Sequence, residues 1–298
     1  MIIIDFNQVA MSVIVQFKRE LQSKTPEELR GIIFHMVLNS LIAYRKKFAK
    51  YGKMVVAVDG RNNWRKQIFP QYKGNRKKSR DEDTFDWNEV WKILDELTNG
   101  IKDNFPWVLV KVDEAEGDDV IAVITKHVAD SHKSFNWDSD IDQDEKVVIV
   151  SSDGDFKQLL RFQNVSQFCH NKKSLVKISK TEIKEKMNEH IVRGDSGDGV
   201  PNILSADNCL IDGLRQSPIS KSRLDEFLKD GFDACKNETE KRNWQRNYTL
   251  VSFDCIPDRI SEKVLYELNK PQTGSKKLAM DFMLKHKLAR LIKDIQDI

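Results

Sequence analysis

Residues 112–122 read VDEAEGDDVIA, and five of these eleven residues are acidic. The run follows an apolar, strand-like segment, Trp107 to Val112, and leads into an apolar, helix-like segment, Val120 to Val128. Carboxylates this close together repel one another, and some take up protons unless a cation is bound. Mg²⁺ and Mn²⁺ prefer such oxygen ligands, so the run indicates a metal site. An acidic helix N-terminus that the helix dipole stabilises explains the run equally well.

Acidic residues also stand at the ends of three other short apolar runs, each of which predicts a buried strand. They are Asp5 in MIIIDF, Asp59 after MVVAV, and Asp153 and Asp155 after KVVIVS. Apolar strands that alternate with helices predict an α/β fold, a mostly parallel sheet with helices on both faces. The functional crevice of such a sheet lies at the carboxyl ends of its strands. We therefore expect one acidic site, with Asp5, Asp59, Glu116, Asp118, Asp119, Asp153 and Asp155 in it and Asp195 and Asp198 as further candidates.

Length, charge and cysteine usage set limits on the class of protein. The chain has 298 residues, enough for a main domain with a helical appendage. Its 49 Lys and Arg against 46 Asp and Glu leave a net charge of only +3, so the clustering of charge is more informative than its sum. The four cysteines form no CxxC pair, which argues against a zinc site. No apolar run reaches membrane-spanning length, and we expect a soluble, cytoplasmic monomer.

The segment 61–80, RNNWRKQIFPQYKGNRKKSR, holds eight Lys or Arg residues interleaved with three aromatic residues. A solvated basic face is the usual meaning of such a run. The aromatic residues favour a nucleic-acid contact instead, through phosphate neutralisation and base stacking. The candidate contacts are Arg65, Lys66, Tyr72, Lys73, Arg76, Lys77 and Lys78.

The composition shifts to helices after Ser179, which predicts an α/β core at 1–180 followed by a helical region at 181–298. Within that region, GDSGDGVP at 194–201 predicts a tight acidic turn. The acidic loop NWDSDIDQDE at 136–145 lacks the glycine and the terminal Glu spacing of a calcium loop, so we interpret it as a solvated insertion.

A site this acidic repels a phosphodiester. Two divalent cations roughly 4 Å apart remove the repulsion, orient the phosphate, lower the pKa of an attacking water and stabilise the leaving oxygen. The six histidines lie outside every acidic cluster, so no histidine is assigned a catalytic role.

Nearly the whole chain resembles the 5′-nuclease (flap endonuclease) superfamily, and within it the RNase H group of bacteriophage enzymes. The resemblance rests on DFNQ from Asp5, VDG around Asp59, YKGNR at 72–76, EGDD at 116–119, SSDGDFKQL at 151–159, GDSGDGVP at 194–201 and FDCIPD at 253–258. Each motif alone is weak, and their combination is specific.

The resemblance implies a 5′→3′ exonuclease and flap endonuclease that removes RNA primers and adjacent DNA from lagging-strand fragments with two Mg²⁺, for which Mn²⁺ substitutes. It implies a first metal on Asp5, Asp59, Glu116 and Asp118, a second on Asp153, Asp155, Asp195 and Asp198, and Asp119 as an outer-shell ligand. The resemblance also implies that 61–85 forms a basic arch and that 181–298 binds duplex DNA. Lys73 and Arg76 match residues of the arch that contact the scissile phosphate, and Tyr72 matches a position that stacks on the terminal base. The implied partners are DNA and RNA/DNA duplexes with 5′ ends or flaps, together with a single-stranded-DNA-binding protein and a sliding clamp, in the cytoplasm of an infected bacterial host.

The stretch Asn202 to Gly213, NILSADNCLIDG, departs from the family pattern because it lacks repeated glycines, which puts a K⁺ site in question. A PIN-type endoribonuclease is one alternative, although a bare domain of that type is about half this length. A non-catalytic nucleic-acid-binding module is the other, although no carboxylate of the pattern is lost.

Overall fold

The structure is a computed structural model that describes residues 1–75, 83–131 and 145–298. Arg76, Lys77 and Lys78 and almost all of the predicted loop 136–145 lie outside the described residues. The chain forms two compact units. We call Met1–Arg61, Thr84–Val176 and Asp258–Ile298 the sheet unit, and Asn62–Asp83 and Lys177–Pro257 the helical unit.

The sheet unit contains a six-stranded sheet. Its strands are β1 (Ile2–Asp5), β2 (Met54–Val58), β3 (Val108–Lys111), β4 (Val147–Val150), β5 (Val165–Cys169) and β6 (Ser174–Leu175). They lie in the order β3-β2-β1-β4-β5-β6. The first five strands are parallel and β6 is antiparallel, with Ile4 of β1 in register with Val56 and Val150. The prediction of a mostly parallel sheet is therefore confirmed.

The helices are numbered along the chain. Those of the sheet unit are α1 (Phe6–Gln16), α2 (Lys18–Leu21), α3 (Pro26–Lys47), α5 (Trp87–Asn104), α6 (Gly117–Ser131), α10 (Asp258–Leu268) and α11 (Lys276–Lys285), with 3₁₀ helices at Ala49–Tyr51, Asp155–Arg161 and Ala289–Asp297. Those of the helical unit are α4 (Arg65–Ile68), α7 (Lys180–Arg193), α8 (Lys221–Asp230) and α9 (Glu238–Val251), with 3₁₀ helices at Gly231–Ala234 and Phe253–Cys255. In the described ranges, no helix combines the length and the apolar character that a membrane crossing requires.

The start of α3 is a capping box. The Thr25 hydroxyl accepts a hydrogen bond from the Glu28 N–H, and the Glu28 carboxylate accepts one from the Thr25 N–H at 2.9 Å. Pro26 occupies the first helical position, where its missing N–H costs nothing. Local sequence therefore fixes where this helix begins.

The two faces of the sheet are covered by different helices. Ile2 and Ile4 of β1 pack in one apolar cluster with residues of α1, α3, α5 and α11. Strand neighbours point to opposite faces, so Ile3 faces the other side, where α6 contacts the central strands and α10 contacts β3. Helices on both faces were predicted, and this arrangement confirms them.

The segment Asp258–Ile298 packs with the sheet unit. Phe282 of α11 stacks on Phe34 at a centroid distance of 5.9 Å, and Leu291 and Ile298 lie in the same apolar cluster. The compact units thus differ from the predicted division at residue 180, because the tail groups with the core and residues 62–83 group with the helical unit. An amphipathic pattern predicts an apolar helix face but does not identify its packing partner.

Candidate functional site

Four acids of the sheet unit stand where the sheet meets its helices. Asp5 ends β1, Asp59 follows β2, Asp153 comes three residues after β4, and Asp118 lies in the first turn of α6. Because β2, β1 and β4 are neighbours and parallel, their carboxyl ends form one edge. This topology brings Asp5 and Asp153 to the same edge, although more than 140 residues separate them in the sequence.

Asp5 is buried at this edge. Its carboxylate accepts hydrogen bonds from the Gln8 N–H at 3.1 Å and the Ser151 hydroxyl at 2.9 Å. Burial, with a smaller contribution from the negative charges of Asp59 and Asp153, raises the pKa of Asp5 to about 7, although the two hydrogen bonds act to lower it. Two hydrogen bonds therefore hold the Asp5 carboxylate in place, although its environment favours the protonated, neutral form.

Asp118 shows that the acids converge. Burial raises its pKa well above the ordinary value for aspartate, and the charges of Asp5, Asp153, Glu116 and Asp59 add to the effect. Such mutual influence requires short distances. The structure thus brings together five of the predicted acids on one edge of the sheet.

Two glycines allow the acidic loop to approach β2. The Gly117 N–H donates to Asp59 Oδ1 at 2.7 Å, and a Cβ on Gly117 would lie 3.1 Å from that oxygen. The Gly60 N–H donates to the Ala115 carbonyl at 2.8 Å, and a Cβ on Gly60 would collide with the Val112 carbonyl. Larger residues at either position would push the acids apart.

The two remaining predicted acids of this unit, Asp119 and Asp155, take part in hydrogen bonds between a backbone N–H and a carboxylate. Asp119 is fully buried, and its carboxylate accepts a hydrogen bond from the Glu116 N–H at 3.0 Å. The Asp155 N–H donates to Asp153 Oδ1 at 2.8 Å, which orients the Asp153 carboxylate at the start of the 3₁₀ helix. Asp119 stabilises the start of α6, as the dipole interpretation expects.

The donor set at this edge consists of carboxylate oxygens, which suit a hard divalent cation. Within the described residues, no three His, Cys, Asp or Glu side chains stand in an arrangement that could hold a metal ion. Hydrogen bonds from backbone N–H groups engage Asp59, Asp119 and Asp153. The chemistry of the donor set fits a divalent cation.

A polar network that the sequence did not predict lies beside the acids. Gln8 Oε1 accepts hydrogen bonds from the Ser151 hydroxyl at 2.9 Å, from the Ser152 N–H and from His170 Nε2 at 3.0 Å. An amide oxygen only accepts, so the proton of neutral His170 is on Nε2. The Ser151 hydroxyl also faces Asp5 and has one hydrogen, so it serves one of these two acceptors at a time.

Gln167 completes this network from β5. Its amide donates to the Ser151 carbonyl at 3.0 Å and to the Asp153 carbonyl at 2.6 Å. The network therefore joins α1, β5 and the loop after β4, and it fixes the loop that carries Asp153. The only signal in the sequence was the position of Gln8 in DFNQ, three residues after Asp5.

The acids of the helical unit have protein partners. His190 Nε2 lies 3.5 Å from Asp195 Oδ2, and this hydrogen bond lowers the pKa of Asp195. Asp198 accepts a hydrogen bond from the Tyr72 hydroxyl at 2.8 Å and lies 3.7 Å from Lys73 Nζ. Within their own unit, these acids are satisfied by donors and by cationic groups.

Two residues of the basic segment do not fit the predicted nucleic-acid contacts. Arg65 is 3% exposed, and its Nε donates to the Leu250 carbonyl at 2.8 Å, with the guanidinium 4.5 Å from the Trp64 ring centroid. Tyr72 is 4% exposed, so its ring does not present a face for base stacking. Both side chains pack the interior of the helical unit, whereas Lys66 is exposed.

Comparisons with known proteins agree with this geometry. Residues 1–188 match the model of the 5′-3′ exonuclease N-terminal, resolvase-like domain, and residues 180–298 match that of the T4 RNase H C-terminal domain. Ribonuclease H of Enterobacteria phage T4 is 28% identical over 308 residues, which cover 99% of this chain and 94% of that protein.

Solved structures share the fold. A bacteriophage T5 flap endonuclease variant, in a pseudo-enzyme-product complex with DNA and metal ions, has a TM-score of 0.62 at 18% identity, over 90% of this chain and 99% of that chain. A zinc-bound T5 5′-exonuclease has a TM-score of 0.57 at 17% identity, over 97% and 98%.

The sheet and its acidic edge, taken with these matches, define an enzyme that hydrolyses phosphodiester bonds. The chain belongs to the 5′-3′ exonuclease family.

Proposed function

We propose that this chain acts as a 5′→3′ exonuclease and flap endonuclease that removes RNA primers and the adjacent DNA from lagging-strand fragments. Family membership and whole-length similarity to a phage ribonuclease H support the reaction class. The observation that carries the proposal is the convergence of five acids, Asp5, Asp59, Glu116, Asp118 and Asp153, at the edge formed by the carboxyl ends of β2, β1 and β4. Such a site has no use in a protein that only binds a polyanion, because it repels one.

Two divalent cations are the proposed cofactors, Mg²⁺ in the cell with Mn²⁺ as a substitute. Asp5, Asp59, Glu116 and Asp118 would hold the first, and Asp153 and Asp155 would serve the second. When bound, the cations polarise the phosphate and supply a hydroxide at neutral pH. The T5 relatives were solved with metal ions, which supports a divalent cofactor. The ligand role of Asp195 and Asp198 stays a prediction.

The protein's own residues have two tasks in this proposal. The acids must be ionised together, and a cation favours this by offsetting the burial and the repulsion between acids that raise the pKa of Asp5 and Asp118. The Gln8 and Ser151 side chains hold Asp5 and the Asp153 loop in a fixed relation. Lys73 is proposed to neutralise charge on the scissile phosphate.

The test is cleavage of a 5′-labelled flap duplex, a nicked duplex and a structured RNA. We expect cutting of the first two with Mg²⁺ or Mn²⁺ and none with EDTA. A PIN-type endoribonuclease would cut the structured RNA and leave the flap intact. A non-catalytic module would bind all three without cutting. Lys73→Ala should lower kcat far more than it weakens substrate binding. Equal losses of kcat and of binding affinity would show that Lys73 only helps to bind the substrate.

DNA is the proposed polymer partner, and the T5 complex with DNA supports this choice. A single-stranded-DNA-binding protein and a sliding clamp are proposed from the family resemblance, as are a monomeric state and the cytoplasm of an infected host. Sedimentation of the purified chain, alone and with each protein, tests these proposals. A stable dimer would contradict the monomer, and unchanged sedimentation in each mixture would remove that partner.

A further inference from the structure

A second candidate site lies in the sheet unit, in a cavity of about 520 Å³ between the first half of α3 and the end of α11. Its charged and titratable lining consists of Glu27, Arg30, His35, Lys285, His286, Lys287 and Arg290. Four permanent cations thus face one acid, so the lining is positive. The volume falls in the range of small-molecule sites. None of these residues belongs to the acidic edge or to the basic segment 61–80.

The floor of this cavity is rigid and aromatic. The His286 ring packs on Phe282 at 4.3 Å and on Phe34 at 5.1 Å, measured between centroids. Arg30 Nη2 lies 3.0 Å from His286 Nδ1. A guanidinium only donates, so Nδ1 accepts and the proton of the neutral imidazole is on Nε2. His286 therefore offers an N–H donor whose orientation is fixed by packing.

Positive charge in the cavity is only partly compensated. Arg30 pairs with Glu96 at 3.3 Å, and Lys287 lies 3.9 Å from Glu27. In the part of the chain that the structure describes, Lys285 and Arg290 have no acidic side chain within ion-pair distance. These two cations act on the histidines of the lining. Burial and the charge of Arg290 lower the pKa of His35, and burial, Arg30 and Lys285 lower the pKa of His286.

Gly31 leaves the wall of the cavity open. Glycine in the interior of a helix is unfavourable, and it usually marks a close packing contact. Here a Cβ on Gly31 would meet no atom within 4 Å, so packing does not require glycine. The missing side chain keeps the space between Arg30 and the end of α11 accessible.

We propose that this cavity binds a phosphate group carried by a ligand of nucleotide size. The four Lys and Arg side chains of the lining, together with the His286 ring, can surround a tetrahedral oxyanion with charge-assisted hydrogen bonds. The phosphate could come from a free mononucleotide or from a nucleic-acid strand, and the recognition chemistry is the same. No metal ion takes part, which separates this site from the acidic edge.

Calorimetric titration of the full chain in EDTA tests the proposal with three probes: inorganic phosphate, adenosine 5′-monophosphate and a single-stranded oligonucleotide. The variant Lys285→Glu/Arg290→Glu should weaken binding by more than about tenfold, because two charged partners are lost. Lys277→Glu is the matched control, since Lys277 is exposed on the same helix and lies outside the cavity. Preference for the mononucleotide or for the oligonucleotide identifies the source, and either supports phosphate recognition.

Gly31→Gln provides a second variant that keeps the fold, because it replaces a poor helix former by a good one. Its side chain should fill the cavity and weaken binding without loss of thermal stability. In proton–carbon NMR spectra, the His35 and His286 ring signals should shift on titration and should not shift in Gly31→Gln. The proposal is overturned if no probe binds at millimolar concentration, or if Lys285→Glu/Arg290→Glu and Lys277→Glu bind equally well. Cleavage with Mg²⁺ is a separate measurement, so failure here leaves the nuclease proposal untouched.

Discussion

The two units shift the pKa values of their aspartates in opposite directions. At the sheet edge, burial and neighbouring acids raise the pKa of Asp5 and Asp118. In the helical unit, the hydrogen bond from His190 lowers the pKa of Asp195, and Tyr72 and Lys73 face Asp198. The difference teaches that donors and cationic groups of the same unit stabilise the acids of the helical unit, whereas burial and neighbouring acids dominate at Asp5 and Asp118. A bound divalent cation would recover the folding free energy that the burial of these two charges costs.

The strongest test of this contrast is Asp118→Asn. We expect kcat for flap cleavage to fall by about a thousandfold, because a ligand to a catalytic cation contributes several kcal/mol to transition-state stabilisation. The same variant should raise the melting temperature of the metal-free protein at pH 8, since it removes a buried charge. Loss of activity together with loss of metal-free stability would show that Asp118 is a structural residue.

The pH dependence of stability gives the next largest effect. In the metal-free protein, Asp5 keeps its proton up to about pH 7 because its pKa is raised, while the unfolded chain releases the proton near the ordinary aspartate pKa of 3.8. Between these values the folded state binds more protons, so the free energy of unfolding falls as the pH rises. About three pKa units correspond to roughly 4 kcal/mol.

Urea denaturation in EDTA from pH 4 to pH 8 measures this slope. Asp5→Asn should flatten it, and Mg²⁺ should restore stability at pH 8 in the native chain only. A native chain that is equally stable at both ends of the range would contradict the burial of an uncompensated charge at Asp5.

Gln8→Ala probes the positioning network. We expect kcat to fall about 10- to 100-fold and the Mg²⁺ concentration for half-maximal activity to rise, which are the usual effects of losing a partner of metal ligands. KM for the flap substrate should stay unchanged. Gln22→Ala is the matched control, because Gln22 is exposed and its amide bonds only to Thr84. A change in KM alone would indicate that Gln8 acts in substrate binding and not in the positioning of metal ligands.

Tyr72→Phe addresses the helical unit and should have the smallest effect. Loss of the hydrogen bond to Asp198 should lower the free energy of unfolding by about 1–3 kcal/mol. The ring is kept and buried, so substrate binding should not change. Tyr266→Phe, at a residue that is 68% exposed, serves as the control. Weaker binding of flap DNA with unchanged stability would support the stacking role that the structure argues against.

The sequence predicted the sheet and the acids because both depend on local patterns. Continuous apolar runs identified β1, β2 and β4, and the topology of parallel strands then placed Asp5, Asp59 and Asp153 on one edge. The burial of Arg65 and Tyr72 could not be predicted in this way. Bases interleaved with aromatics look alike whether the guanidinium stacks on an internal ring or on a nucleic-acid base.

The positioning network and the packing of the tail escaped prediction for a related reason. Gln8 and Gln167 are neutral amides, and only their three-dimensional contacts distinguish them from surface glutamines. Phe282 of α11 packs on Phe34 and Phe105, which lie far away along the chain, so no local pattern identifies these partners.

The three-part construction of the sheet unit has a consequence for biosynthesis. Phe282, Leu291 and Ile298 cover an apolar face that α3 and α5 begin. A ribosome makes these residues after the earlier segments of the sheet unit and the whole helical unit, so that face of the nascent chain stays uncovered until they emerge. A chain released before these residues would leave the apolar face of the sheet unit exposed. Expression of residues 1–180 alone should therefore yield aggregated material.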